Sequence, residues 1–195
     1  MTVTTVVPFR AGGKSRLPAA IRVGVALAML GDVLEAATAF GPTRLVTADA
    51  AARLVAAGLG VDVVDDPGGG QGAAVRAALV GLDGPCLVVN ADVPSVRPSD
   101  LAALAVPARA GAVAIVAAAD GTTNALGLPS ARAFEPLYGP GSASRFRAHA
   151  AALGLAHHDL SLPSLREDVD TLADLDRVGA RAGPRTRALL AAVDP

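Results

Sequence analysis

The chain has 195 residues, 52 % hydrophobic and 18 % charged, with a formal net charge of −1; this suits one domain, residues 1–195, with a sizeable core, and excludes the basic field of a nucleic-acid-binding protein. Aromatics are 3 % with no Trp, so the core is expected to be Ala, Val and Leu, and the single cysteine, Cys86 in the apolar run 85–89, reads as a small buried hydrophobe rather than half of a disulfide. No basic leader precedes the first apolar run, and the longest uninterrupted apolar run, 112–119, is too short for a bilayer, so a cytoplasmic protein without a membrane partner is expected.

In chain order, 2–7 reads as a strand and 21–40 as a helix stopped by Gly41-Pro42. A strand at 44–47 leads to a helix at 50–57, closed by Gly58, and a third strand follows at 61–64. Gly68-Gly69-Gly70 is a loop before a helix over 71–82. A strand at 85–89, a helix at 98–104 and a strand at 112–118 complete the regular part. From 121 to 144 Gly, Pro, Thr and Ser make the pattern irregular; a helix over 144–153, a strand-like stretch 155–162 and a helix over 172–182 come after. Alternating strands and helices with continuous apolar strands predict an α/β fold, a parallel sheet covered on both faces. Such sheets bind ligands at the carboxyl ends of their strands, so residues just past each strand are the candidates.

Four segments carry chemistry. After the first strand come Pro8-Phe9-Arg10-Ala11-Gly12-Gly13-Lys14-Ser15-Arg16. The glycines let backbone N–H groups approach phosphate oxygens, and Arg10, Lys14 and Arg16 offset a triphosphate's charge. Gly13-Lys14-Ser15 matches the end of a P-loop, but Pro8 occupies the position of its first glycine, so the Walker pattern fails. After the fourth strand, Asn90-Ala91-Asp92-Val93-Pro94 offers a carboxylate for a hard divalent cation. Later, Asp168-Val169-Asp170-Thr171 precedes a helix, with Thr171 or Asp170 as its N-cap; with Val169 inward, both aspartates share a face, so that one can meet Asp92, and Asp168 reads as readily as a helix cap. The fourth segment combines Asp120-Gly121-Thr122-Thr123-Asn124-Ala125-Leu126 with Tyr138-Gly139-Pro140-Gly141-Ser142, hydroxyls and amides beside flexible glycines that suit a small anion. Arg145, Arg147 and His149 follow on the next helix. His157-His158 faces opposite ways on a strand and is no metal pair, and Arg177, Arg181, Arg185 and Arg187 read as a solvated helix face.

Together these segments resemble the guanylyltransferases of deazaflavin coenzyme F-420 biosynthesis, which activate phosphoenolpyruvate or 2-phospholactate with GTP. The resemblance rests on Lys14-Ser15-Arg16-Leu17, Asp92-Val93-Pro94, the Gly121 to Leu126 loop, Gly139-Pro140-Gly141-Ser142 with His149, and Asp168-Val169-Asp170-Thr171, in that order. It implies a three-layer, mostly parallel sheet of the nucleotide-diphospho-sugar-transferase type (GT-A, MobA-like). It implies Mg²⁺ on Asp92 and Asp170, and the phosphorylated three-carbon acid at Thr123, Asn124, Gly139, Gly141 and Ser142. Pro8, Gly12, Gly13, Lys14, Ser15, Gly70 and Gln71 would then hold the nucleotide, with Lys14, Arg10, Arg16 and Asp92 catalytic. Two departures stand out: Thr122-Thr123 carries one Thr more than the family's Gly-Thr-Asn form, and Gly70-Gln71-Gly72 stands where members often carry Asn. Other nucleotidyltransferases, GT-A glycosyltransferases and a non-catalytic GTP-binding protein are the rival readings; the Ala/Val/Arg/Gly bias tilts the acceptor to phosphoenolpyruvate.

Overall fold

The computed structural model describes residues 2–10 and 16–193. Its strands are β1 (Thr4–Pro8), β2 (Thr43–Thr47), β3 (Asp62–Asp65), β4 (Cys86–Val89), β5 (Val113–Ala117), β6 (Thr123–Leu128) and β7 (His157–Asp159). The helices are α1 (Ala19–Phe40), α2 (Ala50–Gly58), α3 (Gln71–Leu79), α4 (Pro98–Arg109), α5 (Ser142–Ala152), α6 (Pro163–Arg166), α7 (Leu172–Val178) and α8 (Pro184–Val193). The strands make one sheet in the order β3-β2-β1-β4-β6-β5-β7. Every pairing is parallel except the two made by β6, which runs against β4 and β5.

Successive strand side chains alternate between faces, and the continuous Val/Leu runs reflect burial on both. Val7, Leu45, Leu87 and Val89 pack against α1, α2 and α4. Val6, Val46, Cys86 and Val88 pack against α3 and α5 on the other side. This is the expected three-layer arrangement. Burial pushes the Cys86 thiol up to about 12, which makes it an inert core group.

α1 is long and apolar enough to cross a bilayer. Instead, Leu30, Val33 and Leu34 lie in the core, and the helix packs against α2, α4 and α8. Its buried Asp32, 4 % exposed, turns outward from that core to accept hydrogen bonds from the backbone N–H groups of Arg185 and Thr186, both at 2.9 Å. That carboxylate caps the start of α8, where a negative charge meets the positive end of the helix dipole. Gly183 makes room, since a Cβ there would meet the Asp32 side chain.

The structure corrects the expected elements in six places. The irregular stretch 121–144 contains β6, a strand hidden by its Thr, Asn and Gly content. The helix expected over 98–104 runs to Arg109 in spite of Pro107, and the one expected over 71–82 stops at Leu79, before Gly81 and Gly84. The strand-like stretch 155–162 reduces to His157–Asp159, both histidines being exposed. The helix expected over 172–182 is α7 plus a 3-10 turn, and α8 was unforeseen. The four late arginines are exposed but lie on these three pieces: Arg177 pairs with Asp174, Arg181 with Glu167 and Arg185 with Glu35.

Candidate functional site

In an open α/β sheet, the ligand crevice lies where the chain leaves neighbouring strands in opposite directions. Here that point falls between β1 and β4: β2 and β3 lie to one side of β1, and β4, β6, β5 and β7 to the other. A cavity of about 270 Å³ opens there, with Phe9, Ala26 and Met29 among its apolar walls and Arg10, Asp66, Gln71, Asn90, Asp92 and Asp170 as its polar ones. Pro8, at the end of β1, also lines it.

Arg10 is held by a carboxylate that the sequence did not flag. Its Nε donates to Asp66 Oδ2 at 2.6 Å and its Nη2 to Asp66 Oδ1 at 2.9 Å, a two-pronged pair. Hydrogen bonding from Arg10 is the main reason the Asp66 carboxyl sits below its ordinary value; its burial opposes this, and the Gly68 N–H adds to the lowering. Gly12, Gly13, Lys14 and Ser15 lie outside the described residues. Gly68, Gly69 and Gly70 all have positive φ, at +83°, +80° and +93°, which explains a run of three glycines before α3. Gln71 opens α3 on the cavity wall, and Gly72 packs so closely on Pro136 that a Cβ would lie 2.9 Å from Pro136 Cα.

Asp92, Asp168 and Asp170 bring one carboxylate oxygen each within 4.8 Å of one another. The expected pair is therefore a triad, joined by Asp168, which had read equally well as a helix cap. Val169 between them is fully buried, as an inward Val requires, and its N–H donates to the Asp92 carbonyl at 3.0 Å. The cap of α7 is Thr171: its hydroxyl accepts from the Asp174 N–H at 3.2 Å, and Asp174 accepts in return from the Asp170 and Thr171 N–H groups. The Asp168 carboxyl is raised above its ordinary value by burial first and then by repulsion from Asp92, with a smaller push from Asp170; a hydrogen bond from Asn124 works against these. Three hard oxygen donors crowded at mutual electrostatic cost make a donor set suited to a divalent cation such as Mg²⁺.

A second cavity, about 540 Å³, opens on the other side of Asp168 and Asp170 and includes Arg16, Asp120, Arg166 and Arg177. Arg16 lies close enough to help hold the Asp120 carboxyl low, after the dominant hydrogen bonds from Thr122. The two threonines differ in what their hydroxyls hold. Thr122 Oγ1 donates to Asp120 Oδ1 at 2.6 Å, whereas Thr123 Oγ1 lies 3.0 Å from Ser142 Oγ, both buried. Because β6 is antiparallel, its first residues rather than its last reach the carboxyl edge of the sheet. Gly139 and Gly141 shape the turn into α5 with φ of +110° and +69°. Arg145 donates to the carbonyls of Leu137, Tyr138 and Pro140, so it fastens the turn, and Arg147 pairs with Asp159. Phe134, Tyr138 and Phe146 stack beneath it, the Tyr138–Phe146 centroids being 5.4 Å apart. Asn124 does not reach the cavities, its side-chain amide being taken up inside the protein.

The profile of the MobA-like NTP transferase domain matches residues 11–166. The phosphoenolpyruvate guanylyltransferase of Streptomyces scabiei is 38 % identical, over 98 % of this chain and 97 % of its own length. That of Nocardia farcinica is also 38 % identical, over 87 % and 79 %. Among solved structures, a putative nucleotide-diphospho-sugar transferase from Desulfovibrio desulfuricans superposes with a TM-score of 0.76 at 18 % identity, covering 100 % of this chain and 96 % of that one. A nucleotidyl transferase from Methanothermobacter superposes at 0.68 and 19 %, covering 98 % and 99 %. At those identities the structures speak for the fold, and the closer sequence relatives for the family. With its sheet order, its acidic triad at the switch point and these relatives, the chain belongs to the phosphoenolpyruvate guanylyltransferase family of MobA-like NTP transferases, and is a nucleotidyltransferase.

Proposed function

We propose that the protein transfers the guanylyl group of GTP to the phosphate of phosphoenolpyruvate, giving the guanosine-diphospho-linked three-carbon acid and pyrophosphate, a step towards deazaflavin coenzyme F-420. The observation that carries this is the triad Asp92–Asp168–Asp170 at the switch point, with Arg10 and Gln71 in the cavity on one side of it and Arg16 in the cavity on the other. The names of the 38 %-identical relatives support guanine and phosphoenolpyruvate.

An oxygen of the acceptor phosphate bonds to the α-phosphorus of GTP. The bond from that phosphorus to the α,β-bridging oxygen breaks, and its electron pair leaves with pyrophosphate. A phosphate monoester is largely doubly ionised near neutral pH, so the nucleophile needs no general base. The protein's work is then positioning and charge compensation. Arg10, aimed by Asp66, meets the α-phosphate, while Arg16 and Lys14 steady the β- and γ-phosphates. Asp92, Asp168 and Asp170 would hold Mg²⁺, which supplies neutralisation of the triphosphate when bound. Gly70 and Gln71 flank the nucleoside. Thr123 and Ser142, buried against each other, brace the turn at Gly139 and Gly141, and that turn receives the acid.

The test is pyrophosphate release from GTP or ATP with Mg²⁺ and, in turn, phosphoenolpyruvate, 2-phospholactate and a set of sugar phosphates. Release with GTP and phosphoenolpyruvate is expected, and Asp92→Ala should abolish it with an unchanged circular dichroism spectrum. Release with sugar phosphates alone, GTP binding without release, or near-normal turnover by Asp92→Ala would each overturn the reading.

A further inference from the structure

Four polar side chains run in a line from the glycine loop to the acidic triad. Gln71 Nε2 donates to Asn90 Oδ1 at 2.7 Å. Asn90 Nδ2 donates to the Thr123 carbonyl at 3.2 Å and, more loosely at 3.4 Å, to Asn124 Oδ1. Asn124 Nδ2 donates to the Arg166 carbonyl at 3.2 Å and to Asp168 Oδ1 at 3.3 Å. Strand register produces the line. Val89 pairs with Ala125 in the antiparallel β4–β6 ladder, which puts Asn90 opposite Asn124, and the Asn90 N–H donates to the Asn124 carbonyl at 2.9 Å. Each amide thus receives on its oxygen from the side of the loop and donates from its nitrogen towards the triad. Asn124 is 2 % exposed, so it has no face to offer a substrate.

We propose that Asn90 and Asn124 are positioning residues for nucleotidyl transfer. Their amides fix Asp168 in the triad and tie it to Gln71, so that nucleotide at the glycine loop and a divalent cation at the triad strengthen each other's binding. The inference rests on the proposed donor site. Aligned hydrogen bonds polarise one another, and a coupling between two sites is reciprocal. A polar contact that only stabilised the fold would carry no such coupling.

The experiment titrates the whole protein with α,β-methylene GTP by calorimetry, without acceptor, at a series of Mg²⁺ concentrations. Wild type is compared with Asn124→Ala, Asn90→Ala and Leu104→Ala, the last a core truncation that lowers stability alone. In both amide variants the Mg²⁺ concentration giving the half-maximal gain in nucleotide affinity should rise about tenfold or more, and the gain between zero and saturating Mg²⁺ should shrink by about threefold or more. Leu104→Ala should lower the melting temperature and leave that midpoint in place. A wild-type midpoint in Asn124→Ala overturns the proposal; should that variant not fold, the half-buried Asn90→Ala decides in the same way. No binding of the analogue by wild type at any Mg²⁺ concentration overturns the donor site itself, and is thereby told apart from failure of the relay.

Discussion

Replacing Asp168 by Asn tests the electrostatics of the triad from two directions. Asn keeps the shape and an oxygen that accepts from Asn124, and removes only the charge. Without a divalent cation, three carboxylate oxygens lie within 4.8 Å of one another. Two unit charges at that separation repel by about 3.5 kcal/mol at an effective dielectric of about 20. Asp168 takes part in two of the three pairs. The three side chains are half-buried, so solvent and salt cut this to a net gain of about 1–2 kcal/mol for the variant. For a chain of this size that is a rise of roughly 2–8 °C in melting temperature. Transfer should fall by about 10²–10³, because the same charge is missing where the transition state needs it. With no Trp to report on unfolding, calorimetry or circular dichroism in chelator and in Mg²⁺ is the assay. Wild type should gain more from Mg²⁺ than the variant. The raised Asp168 carboxyl also fixes a sign: a group that holds its proton more tightly when folded adds stability below the ordinary aspartate value of 3.8, and loses it as pH rises through the higher folded value. Cation-free wild type should therefore gain stability from this group as pH falls through that window, and Asp168→Asn should lack the gain. A variant no more stable than wild type in chelator, with a wild-type response to Mg²⁺, would refute the reasoning.

Three further outcomes follow from the packing. Asp66→Asn leaves Arg10 without its carboxylate and should raise the KM for GTP roughly tenfold; it should also remove the stability that the lowered Asp66 carboxyl contributes above pH 3.8 in wild type, a contribution lost as pH falls through the lower folded value and read by acid titration of the circular dichroism signal. Asp32→Ala strips the cap from α8 and strands two N–H groups, one of them buried, at a cost of about 2–4 kcal/mol in denaturant unfolding. Gly72→Ala forces a methyl against the Pro136 backbone and should cost about 1–3 kcal/mol, while also raising the KM for GTP through the displaced loop.

Much of this architecture was legible because a doubly covered sheet writes itself plainly: Val-rich runs between Ala/Leu helices, with chemistry just past each strand. Arg10 and Asp92 were singled out that way, and Asp170 by the spacing of Asp168-Val169-Asp170-Thr171 before a helix. Thr123 and Ser142 were singled out as hydroxyls beside flexible glycines, but their contact with each other was not legible, since it depends on a strand that runs backwards and looks like a loop. Asp66 and Asn90 occupy the same kind of position, immediately after β3 and β4, and the rule that found Asp92 applies to them. What hid them was the lack of any local motif: Asp66 becomes functional only through an arginine 56 positions away, and Asn90 only through its cross-strand partner. Asp168 was ambiguous because an aspartate before a helix satisfies a cap as easily as a metal. Thr171, one of the two N-caps that the sequence offered, does the capping, which leaves the Asp168 side chain to the acidic cluster.

The Asp32 cap has a consequence for handling the protein. Among the described residues α8 contributes nothing to either cavity, but its anchor lies midway along α1, three residues after Met29, which lines the cavity at the switch point and packs in the same cluster as Val169. The carboxyl-terminal helix thus braces the acidic segment from behind, as a buttress carries a wall it never faces. Trimming α8, or fusing a bulky tag against it, should cost metal-dependent activity before it costs the fold. The start of β1 lies at the opposite edge of the sheet from the cavities, and is the safer place for a tether.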